Sequence, residues 1–85
     1  MKVVVYKEFD GSIFLDDFCN DNDAINLVIE QSGRKEEVNG LYDSLSRDNA
    51  FSKLPVEEFD RRWNEYVMKT IEVLAENGCE IVWRD

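Results

Sequence analysis

Histidine is absent from all 85 residues of this chain. Its absence removes the commonest general base and the commonest zinc ligand, and with them every Ser-His or Cys-His nucleophilic constellation. Cysteine is nearly absent too. Cys19 and Cys79 form no CxxC pair, whereas a disulfide-framed secreted domain of this size carries four or more. Two free thiols with structural roles, in a reducing compartment, are expected. Four glycines and one proline include no phosphate-cradling loop and no dinucleotide fingerprint. Ser32 and Lys35 stand at Ser-x-x-Lys spacing, but at a helix end where Gly33 already serves as a cap. The longest apolar run falls far short of the roughly 18 residues that suggest a membrane span. The N-terminal apolar stretch, Val3–Tyr6, is too short for a secretory leader, so a cytoplasmic location is expected. Basic residues are also scarce: ten Lys and Arg against nineteen Asp and Glu leave a formal charge of −9. Direct nucleic-acid binding and polybasic membrane contact both need clustered Lys and Arg, so neither fits.

What is present points to a folded domain. Hydrophobic residues make up 44% and aromatics 12%, too many for a disordered acidic tail. Residues 1–85 read as a single α+β domain. Val3–Tyr6 are strand formers, Asp10-Gly11 is a hairpin signal and Ile13-Phe14-Leu15 supplies the returning strand. A two-residue loop and a three-residue loop with a glycine bulge both fit, so the register stays open. Asp21 or Asp23 can cap a short helix over Ala24–Gln31, which Gly33 ends. Val38, Leu41, Tyr42 and Leu45 lie at helical spacing and predict a second helix over Lys35–Ser46, weakened at Gly40.

Pro55 fits the first position of a third helix. Val56, Phe59, Trp63, Tyr66, Val67, Thr70, Ile71 and Leu74 form its continuous apolar stripe, predicting about 22 residues, or roughly 33 Å. Asn77-Gly78 stops it. Alternation of Cys79, Ile81 and Trp83 with Glu80, Val82 and Arg84 predicts a last strand that joins the hairpin in an undetermined direction. The order is β-β-α-α-α-β, with the long helix supplying the half of the core that so small a sheet needs.

The charge is unevenly placed. Glu8, Asp10, Asp16, Asp17, Asp21, Asp23 and Glu30 fall within residues 8–33, which hold no base. Thus −7 of the −9 is concentrated there, while the long helix interleaves Arg61, Arg62 and Lys69 with its acids. Three readings of the acidic stretch are open: a solvated surface, an interaction face for a basic partner, or a cation site. A concentrated negative field steers a positive partner and raises its on-rate. Asp17, Asp21 and Asp23 offer oxygen ligands for Ca²⁺ or Mg²⁺, but EF-hand spacing fails at Ile25 and no glycine follows. No metal and no cofactor are therefore expected. Phe9 and Phe18 lie beside these acids. Phe18 is either a core plug or an apolar interface anchor of the kind in which binding energy concentrates. No carboxylate pair is placed in an apolar pocket, so no enzyme is expected.

Two segments resemble the barstar family, small acidic intracellular inhibitors of a basic ribonuclease. EEVNGLYDSL (Glu36–Leu45) is similar to that family's acidic helix, and LAENGCEIVW (Leu74–Trp83) to its last helix-to-strand passage. The likeness implies that Glu36, Glu37 and Asp43 face a partner. The opening hairpin and the lack of a middle strand between helices depart from that pattern. In size, acidity and lack of catalytic chemistry the chain is also similar to phage-encoded inhibitors of nucleases and of restriction or CRISPR systems (anti-CRISPR proteins).

The leading expectation is a non-enzymatic inhibitor or modulator that mimics phosphate spacing to occupy the basic, nucleic-acid-binding surface of another protein, such as a nuclease. Its partner-binding residues are Asp10, Asp16, Asp17, Phe18, Asp21, Asp23 and Glu30. Reversing Asp16, Asp17, Asp21 and Asp23 to Lys is expected to abolish binding and spare the fold. The alternatives are a barstar-like immunity or antitoxin protein acting through the second helix, and a structural or adaptor domain that pairs through an exposed sheet edge.

Overall fold

A computed structural model describes residues 1–84. It has the expected element order: β1 (Lys2–Lys7), β2 (Ile13–Leu15), α1 (Asn22–Gln31), α2 (Lys35–Asp48), a single 3-10 turn (Ala50–Ser52), α3 (Val56–Glu76) and β3 (Glu80–Arg84). The sheet order is β2-β1-β3, with β2 antiparallel and β3 parallel to the central strand.

Local chemistry explains each boundary. Glu8 donates its N–H to Ser12 C=O at 2.8 Å and Gly11 donates to Glu8 C=O at 3.0 Å. The loop is therefore Phe9-Asp10-Gly11, a type I turn followed by a glycine bulge with φ of +94° at Gly11. That selects the three-residue alternative and fixes Tyr6 opposite Phe14. Helix α1 starts at Asn22, two residues before the expected Ala24, because Asp21 is the cap. Helix α2 runs two residues past the expected Ser46, to Asp48. Pro55 lies one position before α3, with ψ of 148°, and its carbonyl accepts the Phe59 N–H at 3.0 Å. The expected first helical position is thus corrected to the cap. Helix α3 spans 21 residues.

Val3, Val5, Val73 and Leu74 are fully excluded from solvent, packed with Ile25, Ile29, Val38, Val67, Ile71 and Cys79. The expected apolar stripe of α3 is right in its middle and wrong at its start. Val56 is exposed, and Val73 is buried because α3 packs on α1, α2, β2 and β3 at once. Trp63 bridges these layers. Its ring stacks on Phe59 with centroids 6.5 Å apart and meets Phe14 at 5.9 Å and Tyr66 at 5.5 Å. Both cysteines are free, Cys19 exposed and Cys79 in the core. Trp83 is 49% exposed. Among the described residues, no helix is long and apolar enough to cross a membrane.

The helices leave one sheet face open. Val3 and Val5 point into the core, so by strand alternation Lys2, Val4 and Tyr6 face the other way, beside Glu80, Val82 and Arg84.

Candidate functional site

The acids of residues 8–23 are held by local backbone geometry. Asp10 Oδ1 accepts the Ser12 N–H at 2.9 Å, closing the hairpin tip. The Ser12 amide, then its hydroxyl, holds the Asp10 carboxyl below the usual carboxylate range. Just beyond β2, Asp16 Oδ1 accepts the N–H groups of Phe18 at 2.9 Å and Cys19 at 3.2 Å. Those bonds, the Phe18 amide first, lower the Asp16 pKa, and the nearby Arg84 charge adds to the effect. This tight turn leaves Asp17 on the surface and turns the Phe18 ring fully into solvent. Phe18 is not a core plug: the turn points it away from the sheet. Phe9, at the hairpin tip, is equally exposed.

Asp21 Oδ1 accepts the Ala24 N–H at 3.1 Å, and Asp23 follows in the first turn, where the helix dipole favours negative charge. Glu30 lies at the far end of α1, roughly 13 Å along the axis at 1.5 Å per residue. There it faces Lys35 at 3.8 Å. The structure therefore gathers Asp16, Asp17 and Phe18 on one turn, sets Asp10 on the hairpin tip and Asp21 and Asp23 on the following cap, and leaves Glu30 outside the group.

A shallow depression on the open side of the hairpin brings in residues that the sequence did not mark. Tyr6, Glu8 and Phe14 line it with Asp16, Asp17 and Phe18. The register sets Tyr6 directly opposite Phe14 and so puts both side chains on one face. A second depression lies between β2 and the helices, lined by Leu15, Asn26, Asn39, Trp63, Tyr66 and Asp17. Burial and then the neighbouring Tyr42 raise the pKa of Tyr66 there. Among the described residues, no three His, Cys, Asp or Glu side chains converge as a metal ion requires.

The helical half of the molecule is electrically different. The Arg34 guanidinium bonds both carboxylate oxygens of Glu37 at 3.0 Å, reaches Glu72 at 3.2 Å and also pairs with Glu76. Lys69 holds Glu72 at 2.8 Å and Glu37 at 3.3 Å. Arg62 meets Asp48 at 3.0 Å, and Arg61 sits between Glu58 and Glu65. Bases there compensate acids. Glu8, Asp10, Asp16, Asp17, Asp21 and Asp23 have no ion-pair partner within 4.0 Å among the described residues. Of the acids that the barstar likeness implicated, Glu36 and Asp43 are exposed. Glu37 is engaged by Arg34 and Lys69, which lower its pKa in that order.

Comparison of the chain with family models, with curated proteins and with solved structures finds no match.

Proposed function

We propose that this protein is a non-enzymatic inhibitor or modulator that occupies the basic, nucleic-acid-binding surface of another protein, such as a nuclease or a phage-targeted defence effector. One observation carries the reading. Among the described residues, six acids of residues 8–23 have no ion-pair partner within 4.0 Å, on a surface that also displays Phe9 and Phe18, while Arg34, Lys35, Arg47, Arg61, Arg62 and Lys69 of the helical half pair with other acids. Carboxylates spaced along a hairpin and a loop can take the place of backbone phosphates in a basic groove. The aromatic rings then supply apolar area and a face over which an Arg or Lys of the partner can lie. The mechanism is occlusion without bond chemistry.

The test is capture of partners from host lysate at low and high salt, identified by mass spectrometry, and then measurement of affinity with the captured protein. Reversal of Asp16 or Asp21 removes a backbone acceptor as well as a charge, so the discriminating variants keep the acceptor. Asp16→Asn and Asp21→Asn, combined with Asp17→Lys and Asp23→Lys, should retain the fold and abolish binding. Normal affinity in that combination would sink the proposal. Salt should weaken binding steeply, because the screening length falls from about 10 Å at 0.1 M to about 3 Å at 1 M.

A further inference from the structure

The two outer edges of the sheet are treated differently. On β2, the outward-facing backbone of Ile13 is closed on both sides by α3: its N–H donates to Asn64 Oδ1 at 3.1 Å and its C=O accepts the Trp63 indole N–H at 2.9 Å. Asn64 Nδ2 also donates to Gly11 C=O at 3.1 Å. Side chains of α3 thus cover that edge at Ile13.

The β3 edge has no such cover. Glu80 donates its N–H to Met1 C=O at 2.9 Å, and the parallel register then turns the backbone groups of Glu80, Val82 and Arg84 toward β1. The N–H and C=O of Ile81 and Trp83 therefore point outward, and among the described residues they have no hydrogen-bond partner. Unpaired edge groups of this kind are a template for another strand.

The sequence of β3, Glu80-Ile81-Val82-Trp83-Arg84, is complementary to itself when reversed. Antiparallel pairing about a two-fold axis at Val82 sets Ile81 of one copy opposite Trp83 of the other. Those are the residues whose backbone groups face outward, so each pair exchanges both N–H···O bonds. Val82 meets its own copy in the closer, non-hydrogen-bonded position. Glu80 falls opposite Arg84 twice, placing opposite charges directly across the strands, and Ile81 with Trp83 makes a β-branched–aromatic pair. The competing Lys2–Glu80 contact is long, at 3.9 Å, and exposed at both ends. Arg84 also reaches back toward the acidic turn, with its Nη1 3.8 Å from Cys19 Sγ and its charge felt by Asp16, a long and exposed contact that the cross-strand pair with Glu80 replaces.

We infer that the protein self-associates as a two-fold dimer through β3, joining two sheets into one of six strands with the order β2-β1-β3-β3-β1-β2. This inference is independent of the function proposed above. It places the two acidic hairpins at opposite ends of the joined sheet, roughly 24 Å apart at about 4.8 Å per strand.

Sedimentation equilibrium on the full chain should show a monomer–dimer equilibrium. Glu80→Arg and Arg84→Glu should each weaken it by about tenfold or more, because both cross-strand pairs become like-charged. An equimolar mixture of these two variants should dimerise like the original chain, since every pair is again opposite in sign. The double variant Glu80→Arg/Arg84→Glu should do so by itself, which keeps the test decisive if a single variant loses its fold by circular dichroism. A chain that stays monomeric up to about 1 mM overturns the inference. So does a dimer indifferent to the single reversals, or a mixture no stronger than its parts.

Discussion

Asn20 stands in for a strand residue beside Val4: its Oδ1 accepts the Val4 N–H and its Nδ2 donates to the Val4 C=O, both at 2.8 Å. Strand β2 ends at Leu15, and Asp16 supplies one further bond to Val4 C=O at 3.1 Å. The amide of Asn20 completes the pairing and ties the Asp16–Asn20 turn, which carries Asp17 and Phe18, to the central strand. Asn20→Ala leaves a partly buried backbone N–H unpaired and should cost about 1–3 kcal/mol in chemical denaturation. Amide exchange at Val4 should accelerate in the same variant. Asn20→Asp keeps the acceptor and loses the donor, so its cost should fall between wild type and alanine.

The closure of β2 by Trp63 and Asn64 yields a second expectation. Trp63→Phe retains an aromatic ring near Phe14 and Phe59 but removes the indole N–H that bonds Ile13 C=O. The loss should be about 1 kcal/mol. Asn64→Ala frees Ile13 N–H and Gly11 C=O together, exposing an edge that invites intermolecular pairing. Light scattering during thermal unfolding should reveal more aggregation in Asn64→Ala than in Trp63→Phe.

Acid should destabilise the fold. Asp10, Asp16, Glu37, Asp48 and Glu72 all have carboxyl pKa values below their ordinary ones. The Ser12 amide lowers the first, the Phe18 amide the second, Arg34 the third, Arg62 the fourth and Lys69 the fifth. A group depressed in the folded state contributes stability above its unfolded pKa, and that contribution disappears as pH falls through the folded value. The urea midpoint should therefore hold steady from pH 7 to about 5 and decline below about 4, where unfolded carboxylates begin to bind protons. Arg34→Gln removes the main cause of the Glu37 shift, so its decline should be shallower. An unchanged midpoint down to pH 3 would contradict this assignment.

How much of this was legible in the sequence depends on the distance over which each feature is decided. Element order, the Asp10-Gly11 hairpin turn and the Asn77-Gly78 stop are set by neighbours within a few residues, and periodicity or turn chemistry expresses them directly, although the choice of a three-residue loop with a bulge at Gly11 came only with the structure. The parallel direction of β3 is decided by how three helices return the chain to β1, which no local pattern encodes. Asn20 and Asn64 look like ordinary loop and helix-surface residues because their partners lie far along the chain, at Val4 and at Gly11 and Ile13. The acidic stretch was visible as composition. That Asp10, Asp16 and Asp21 each also accept backbone N–H groups follows from turn geometry. That Tyr6, Glu8 and Phe14 share a depression with Phe18 follows from a strand register that the sequence alone left open.

Phe51 offers a last test, because it combines two costs at one residue. Its φ is +61°, followed by +56° at Ser52, and its ring is almost fully exposed. The left-handed conformation brings Cβ toward the following carbonyl and costs a non-glycine residue roughly 1–2 kcal/mol. The ring gains nothing from burial to offset that cost. What holds the conformation is the turn itself: Asn49 Oδ1 accepts the Leu54 N–H at 3.2 Å, and Asn49 C=O accepts the Ser52 N–H at 2.9 Å. Phe51→Asn places a residue that tolerates this region in the same backbone. It should stabilise the protein by about 0.5–1 kcal/mol, with no change in the slope of its urea dependence. Phe51→Val should act in the opposite direction, since a β-branched side chain is least compatible with positive φ. If both variants shifted the midpoint the same way, backbone strain would not be the controlling factor at this turn.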